Sequence, residues 1–272
     1  MGKFDGKHLT GLIGPVVSRR GRNGMTILQT APRKFKQTKA TKQAANLFGL
    51  GSTLAKAIRK DLNMLIRSHY DGDMINRFNK PVKEVIRQCY NPETQKFNFS
   101  EDSFSRLTGA EFNIRSPLIN SLWVRPEVHL DGNTLKINLP EITTDEQLKF
   151  PLRANVCELK IAVTLIAPEP GLRTYPLQQS ITISKTQETV PAQEFVFEVP
   201  DGCLCVAGIG LNYFSLQDNI KTVINGPAFN PAGVCGAVIS PGAFVLPPPE
   251  VVPNGKKASV WSDIHKLKLP RN

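Results

Sequence analysis

The spacing of apolar residues changes period twice along this chain of 272 residues. Over residues 8–30 it is that of short strands. Leu12-Ile13-Gly14-Pro15-Val16-Val17 is one apolar run and Met25-Thr26-Ile27-Leu28-Gln29 is another. Between them lies Ser18-Arg19-Arg20-Gly21-Arg22-Asn23-Gly24, where Asn-Gly supplies the positive φ that a tight reversal needs. The segment predicts a β-hairpin or an extended arm. Pro15 cannot donate to a ladder, so its strand is expected at a sheet edge or on a foreign sheet. Ala31-Pro32-Arg33-Lys34-Phe35-Lys36 then reads as an extended basic linker.

From Thr41 the period becomes helical. Ala44, Leu47, Phe48, Gly51, Leu54, Ala55, Ile58, Leu62 and Leu65 fall three and four apart, with Lys42, Lys56, Arg59 and Lys60 on the other side. Gly49 and Gly51 each weaken such a helix by about 1 kcal/mol relative to Ala. They allow a break near Gly49 or, on the apolar face, a close helix approach. Asp71-Gly72-Asp73 ends the stretch, and Asp73 is placed to cap a second helix. Met74, Phe78, Val82, Val85, Ile86 and Cys89 form the stripe of that helix. Pro81 falls inside it, either as a kink or as the true first turn.

After about residue 100 the period is two. Candidate strands are 122–130, 133–139, 156–167, 179–185, 194–199, 203–214 and 234–246, separated by Pro, Gly and Asp turns. Asp131-Gly132-Asn133 joins the first two as a tight hairpin, and Trp123 falls on the first. Short antiparallel strands at this spacing predict a sandwich. Pro247-Pro248-Pro249 follows as a stiff spacer. The last stretch, with Lys256, Lys257, Lys266, Lys268 and Arg271 around Trp261 and Ile264, reads as a mobile or docking tail. The expected fold is α+β: an N-terminal β-hairpin arm and helices, then an antiparallel Ig-like β-sandwich. The expected parts are a basic arm (1–40), a helical segment (41–100), the sandwich (101–246), and a Pro-rich spacer with a basic tail (247–272).

Charge sharpens this division. The first 60 residues hold thirteen Lys and Arg against one acid, Asp5, whereas residues 61–272 sum to −1. The positive charge belongs to the arm and the start of the helix. Hydrophobic residues at 40% supply enough material for a core, which excludes wholesale disorder. No apolar run approaches the length of a membrane span, and no secretory signal opens the chain. The expectation is a protein kept inside the cell by default, or exported by a route the sequence does not reveal. The five cysteines are odd in number and lie among apolar residues, which reads as reduced thiols acting as small hydrophobes.

Catalytic patterns are missing from the sequence. His8, His69, His129 and His265 form no metal-ligand pair, and His129 reads as a solvent-facing strand residue. There is no phosphate loop and no nucleophile elbow. Gly208-Ile209-Gly210 lacks the third glycine and the helix of a dinucleotide fingerprint. Asp71-Gly72-Asp73 lacks the later ligands of a calcium loop. No cofactor, metal or catalytic residue is expected.

Gly11-Leu12-Ile13-Gly14-Pro15-Val16, the basic loop 18–24, Thr30-Ala31-Pro32-Arg33, and Thr41-Lys42-Gln43 leading to Phe48-Gly49 resemble a family from Bacteroidota. Its members open with a Gly-rich G-P-V arm, continue into a helical segment and end in an Ig-like β region. The likeness covers residues 8–60 well and the later sandwich in outline. This chain has Ser18-Arg19-Arg20 where the family has Gly-Lys. The resemblance implies architecture and a bacterial origin and carries no activity.

The function expected from these features is that of a non-enzymatic structural or assembly protein. It would contact other protein subunits, its own copies among them, through the arm; the arm either adds a strand to a neighbouring sheet or packs in cis against its own helical segment or sandwich. Leu12, Ile13, Pro15, Val16, Ile27 and Leu28 are the candidate docking residues. Arg19, Arg20, Arg22, Arg33, Lys34 and Lys36 are the candidate electrostatic contacts. The alternative is a nucleic-acid-associated protein whose basic arm grips phosphate.

Overall fold

The computed structural model describes residues 2–21, 24–31, 36–218, 220–251 and 257–271. Two compact units are present, 1–44 and 45–272, with the division falling inside the first helix. Strand exceeds helix, 39% to 21%, and every ladder between the described strands is antiparallel, so the class is mixed α and β with a β-rich body.

The first unit holds a four-stranded meander. Its strands are β1 (Lys3–Phe4), β2 (Leu9–Ile13), β3 (Val16–Arg20) and β4 (Thr26–Thr30). This corrects the expected hairpin. The apolar run 12–17 is not one strand, because Gly14-Pro15 is itself a two-residue turn between Ile13 and Val16. Gly14 stands at φ +57°, which suits the first position of a II′ turn, and Pro15 supplies no ladder donor where none is needed. Pro15 therefore marks a reversal, not an edge strand. The second hairpin pairs Val16–Arg20 with Thr26–Thr30.

The second unit begins within helix α1 (Lys39–Asp61) and continues through short helix α2 (Asn63–Ile66) and helix α3 (Met74–Cys89). The apolar stripe of α1 is buried from Leu54 onward. The helix runs through Gly49 unbroken and stops at Leu62 instead. Gly51 marks a close approach, since a Cβ there would lie 2.9 Å from Cγ of Lys83 on α3. Pro81 lies inside α3 and not in its first turn. It offers no N–H to the Arg77 carbonyl.

The body strands are β5 (Glu127–Asp131), β6 (Thr134–Leu139), β7 (Val156–Ala167), β8 (Leu172–Arg173), β9 (Leu177–Ser184), β10 (Gln193–Glu198), β11 (Leu204–Gln217), β12 (Ile220–Val223), β13 (Ala232–Ile239) and β14 (Ser262–Asp263). Strand β7 lies at the centre of a seven-stranded sheet, with β11 on one side and β8 and β9 on the other. Strands β12 and β13 flank β11. A second sheet has the order β10-β6-β5.

Period two along β7 and β11 divides the large sheet between two cores. Leu159, Ile161, Val163, Cys205, Ala207 and Ile209 face Leu135, Ile137, Phe195 and Phe197 of the small sheet. Ala162, Ile166, Leu204 and Val206 face Leu54, Ile58, Leu62, Val82 and Ile86 of the helices. The helices thus form a layer on the same sheet and are not a separate segment. This explains why β7 alternates in burial at its start and is buried throughout its second half. Gly208 and Gly210 let Leu62, between α1 and α2, and Leu65 of α2 settle on β11, because a Cβ at Gly208 would come within 2.8 Å of Leu65 Cδ1. That close contact, rather than a nucleotide, accounts for the Gly-x-Gly pair.

Two further expectations are corrected and one alternative is decided. Strand β5 starts at Glu127, and Trp123 sits before it, 52% exposed. Strand β13 ends at Ile239, where Pro241-Gly242 turns the chain, with Gly242 at φ +79°. Of the two readings of the C-terminal segment, mobile or docking, its described part takes the docking one. Trp261, Ile264, Leu267 and Leu269 are buried, and Ser262–Asp263 pairs with Leu172–Arg173. Apolar spacing of two to three residues suffices to seat it across both cores.

Candidate assembly surface

The arm sheet is too thin to have an interior. Register assigns its two faces. Phe4, Leu9, Ile13, Val16, Ser18, Arg20, Thr26, Leu28 and Thr30 share one; Leu12, Val17, Arg19, Ile27 and Gln29 share the other. Ser18 is buried, and its hydroxyl donates to the Leu9 carbonyl at 2.5 Å across the sheet. Phe4, Leu9, Leu12, Ile27 and Leu28 are exposed, so each face presents apolar side chains.

The six docking residues fall on both sides of this sheet. Ile13, Val16 and Leu28 are on the first face and Leu12 and Ile27 on the second, while Pro15 is at the turn. Arg19 and Arg20 are neighbours in sequence and so point to opposite faces. Lys36 is exposed beyond the sheet. Arg22, Arg33 and Lys34 lie outside the described residues.

The one acid of the arm is engaged locally. Asp5 accepts from the backbone N–H of His8 at 2.7 Å and of Lys7 at 3.1 Å, which closes the β1–β2 turn. These bonds, that from His8 foremost, hold its carboxyl below the usual range. Asp5 therefore stays an anion tied to its own turn.

Strand β4 is the outer edge of the sheet. It pairs with β3 on one side, and among the described residues no strand pairs with the other. Ala31 N–H donates to Pro15 O and Gly21 N–H to Met25 O. By the antiparallel alternation, Ile27 and Gln29 bond to β3, and Thr26, Leu28 and Thr30 aim their N–H and C=O groups outward. All five residues of β4 are exposed, and Thr-Ile-Leu-Gln-Thr contains no charge and no proline. Natural edges are ordinarily blunted by one or the other. The opposite edge, β1, is two residues long and carries Lys3.

The body has ionisable groups of its own, which sequence reasoning did not single out. Asp61 ends α1 within the apolar stripe, and that misplaced polar residue was the available signal. Its carboxylate accepts from Thr164 Oγ1 at 2.8 Å and pairs with Arg173. Burial raises its pKa despite both partners. The pair lies on the wall of a cleft of about 620 Å³ with Lys60 and Tyr175. Since Arg173 and Thr164 occupy both oxygens, the arrangement is a clamp between α1 and the sheet.

Asp71 forms a second clamp. Arg77 donates to its two oxygens at 2.9 and 2.6 Å, and the N–H groups of Asp73 and Ile114 add to them. The guanidinium beside it holds the Asp71 carboxyl far below the ordinary range. Glu111, raised by burial, accepts from the N–H groups of Leu118 and Ile119. The thiols of Cys203 and Cys235 are pushed up to about 12 by burial, and all five cysteines are free. Among the described residues no group of three His, Cys, Asp or Glu is placed to hold a metal ion. No described helix is long and apolar enough to cross a membrane.

No family model, curated protein or solved structure matches this chain.

Proposed function

We propose that this chain is a non-enzymatic structural or assembly protein that makes subunit–subunit contacts through its N-terminal arm. The supporting observation is the uncharged outer edge of β4 on a compact arm unit. Strand addition there gives each outward N–H and C=O group a partner, and covers apolar side chains that the thin sheet leaves in water. The likeness of residues 8–60 to the Bacteroidota family enters this reading as architecture and a bacterial origin. So does the Ig-like description of residues 101–246. Its support is the small sheet facing the large one across a shared core; the helical layer on the far face is an addition to that pattern.

The phosphate-gripping alternative is weaker in one respect. Arg19 and Arg20 point to opposite faces, so they do not build one cationic stripe along β3. Light scattering and electron microscopy of the full chain, beside a version without its first 35 residues, test the proposal. The full chain is expected to form oligomers or fibres without nucleic acid, and the shortened one to stay monomeric. A full chain that is monomeric alone, and that binds DNA or RNA with a steep salt dependence, would overturn it.

A further inference from the structure

We infer that the acceptor for β4 is the free edge of β10 in a second copy of this chain; this inference rests on the assembly reading above. The small sheet has the order β10-β6-β5, and among the described residues no strand pairs with the outer side of β10. Val199 N–H donates to Asn133 O. By alternation, residues 193, 195 and 197 bond to β6, and Glu194, Val196 and Glu198 turn their backbone groups outward. One of these is already met by a side chain: Gln179 Nε2 donates to Val196 O at 2.9 Å. An incoming strand replaces that bond with a backbone one.

The two edges match in length and parity. Each offers three outward residues, Thr26, Leu28 and Thr30 on β4, and Glu194, Val196 and Glu198 on β10. Antiparallel pairing centred on Leu28 opposite Val196 puts Thr26 opposite Glu198 and Thr30 opposite Glu194. Ile27 then falls opposite Phe197, on the face that looks into the body. Beside that edge lies a groove of about 810 Å³ with Leu165, Leu177, Phe197 and Trp261 in its lining. An apolar residue entering there is shielded from water. On the outer face Leu28 lies beside Val196, itself 42% exposed.

Charge chooses the same partner. Glu194 and Glu198 are the charged residues of β10, and both are exposed. In this register Arg20 follows Thr26 and Glu198 along one row of the outer face, within reach across the intervening strand. An acidic edge repels its own kind and attracts a strand that carries arginines behind it. Self-pairing of β4 would instead set arginine-bearing hairpins side by side.

Crosslinking between copies tests the register. One copy carries Thr26→Cys and the other Glu198→Cys, and a short bis-maleimide is added to the mixture, with the unsubstituted chain as control for its own cysteines. A mixed dimer beyond that control supports the inference. Glu198→Lys with Thr30→Cys and Glu194→Cys as the reporting pair is expected to lose the crosslink, and adding Arg20→Glu to the other copy to restore it. A dimer from Leu28→Cys copies alone would mean that β4 pairs with itself. A crosslink confined within single chains of a Thr26→Cys, Glu198→Cys double variant would place the contact inside one copy. Either result overturns the inference. If the full chain still assembles through its arm while the mixed pair stays uncrosslinked, the acceptor is wrong and the assembly reading stands. If the full chain does not assemble, the assembly reading itself has failed.

Discussion

Two buried aspartates show how much a single residue's surroundings decide. Asp71 is nearly inaccessible, receives a two-pronged guanidinium, and is held well below its ordinary value of 3.8. A carboxylate whose folded pKa is depressed adds stability that is present above the unfolded value. That stability is lost as pH falls through the carboxylate range toward the folded value. The Asp71→Asn variant keeps the shape and loses the charge-assisted bonds. Denaturant unfolding near pH 7 should show a loss of about 1–2 kcal/mol, since the Arg77 head loses its anion but keeps the Glu111 carbonyl and its access to water. Between about pH 4 and 2 its stability should fall less steeply than that of the parent. Asp61 has the opposite sign. Burial raises its pKa, so its contribution is fullest at low pH and declines as pH rises through the folded value. The sequence marked Asp61 only as a polar residue within the apolar stripe of α1, without its partners, and did not mark Asp71 as a clamp. Asp71 read as part of a turn before a helix cap, and the partner that defines it, Arg77, lies six residues on.

At the scale of the element, β4 is the strand the proposed function depends on. Its five residues are all exposed, adjacent Ile27 and Leu28 put one apolar side chain on each face, and its edge lacks the lysine or proline that would discourage pairing. Leu28→Lys introduces such a charge at a solvent-exposed position. The arm's circular dichroism and the chain's melting temperature are expected to stay within error of the parent. Under the proposed assembly, sedimentation velocity should show the full chain's oligomer lost in this variant. Unchanged assembly would remove β4 from the contact. The arm also shows how turn chemistry overrides a hydrophobic run. Residues 12–17 look like one strand until Gly14 takes a positive φ and Pro15 follows it, after which two strands replace one. The helices were more legible, because a stripe at spacing three and four survives into the folded state. Their ends were less so. Gly49 did not break α1, since a glycine costs about 1 kcal/mol and the burial of Leu54, Ile58 and Leu62 outweighs it.

For the whole molecule, the C-terminal segment carries the clearest consequence. Trp261 belongs to the core between the sheets, and Ile264, Leu267 and Leu269 to the core beneath the helices. Each buried side chain of this size contributes about 1.5–3 kcal/mol. A chain ending at residue 246 should therefore lose most of its stability, read as a collapse of the thermal transition or as insoluble expression. Removal of the first 35 residues should leave a cooperative transition for residues 45–272, which contain both cores. An unaltered melting temperature after the C-terminal truncation would contradict this packing.

The sequence by itself settled what depends on neighbours a few residues away. The helical stripe of 54–65, the span of β7 and the cationic bias of the first 60 residues are of that kind. Periodicity and local charge are short-range, and they persist whatever the chain packs against. Tertiary structure alone decided which face of β7 meets helices and which meets strands, and why Gly208 and Gly210 must be bare. It also decided that the last apolar residues close both cores. Those outcomes depend on surfaces brought together from more than a hundred residues apart, as when Thr164 meets Asp61. No local pattern encodes which of several apolar surfaces will be the one that fits.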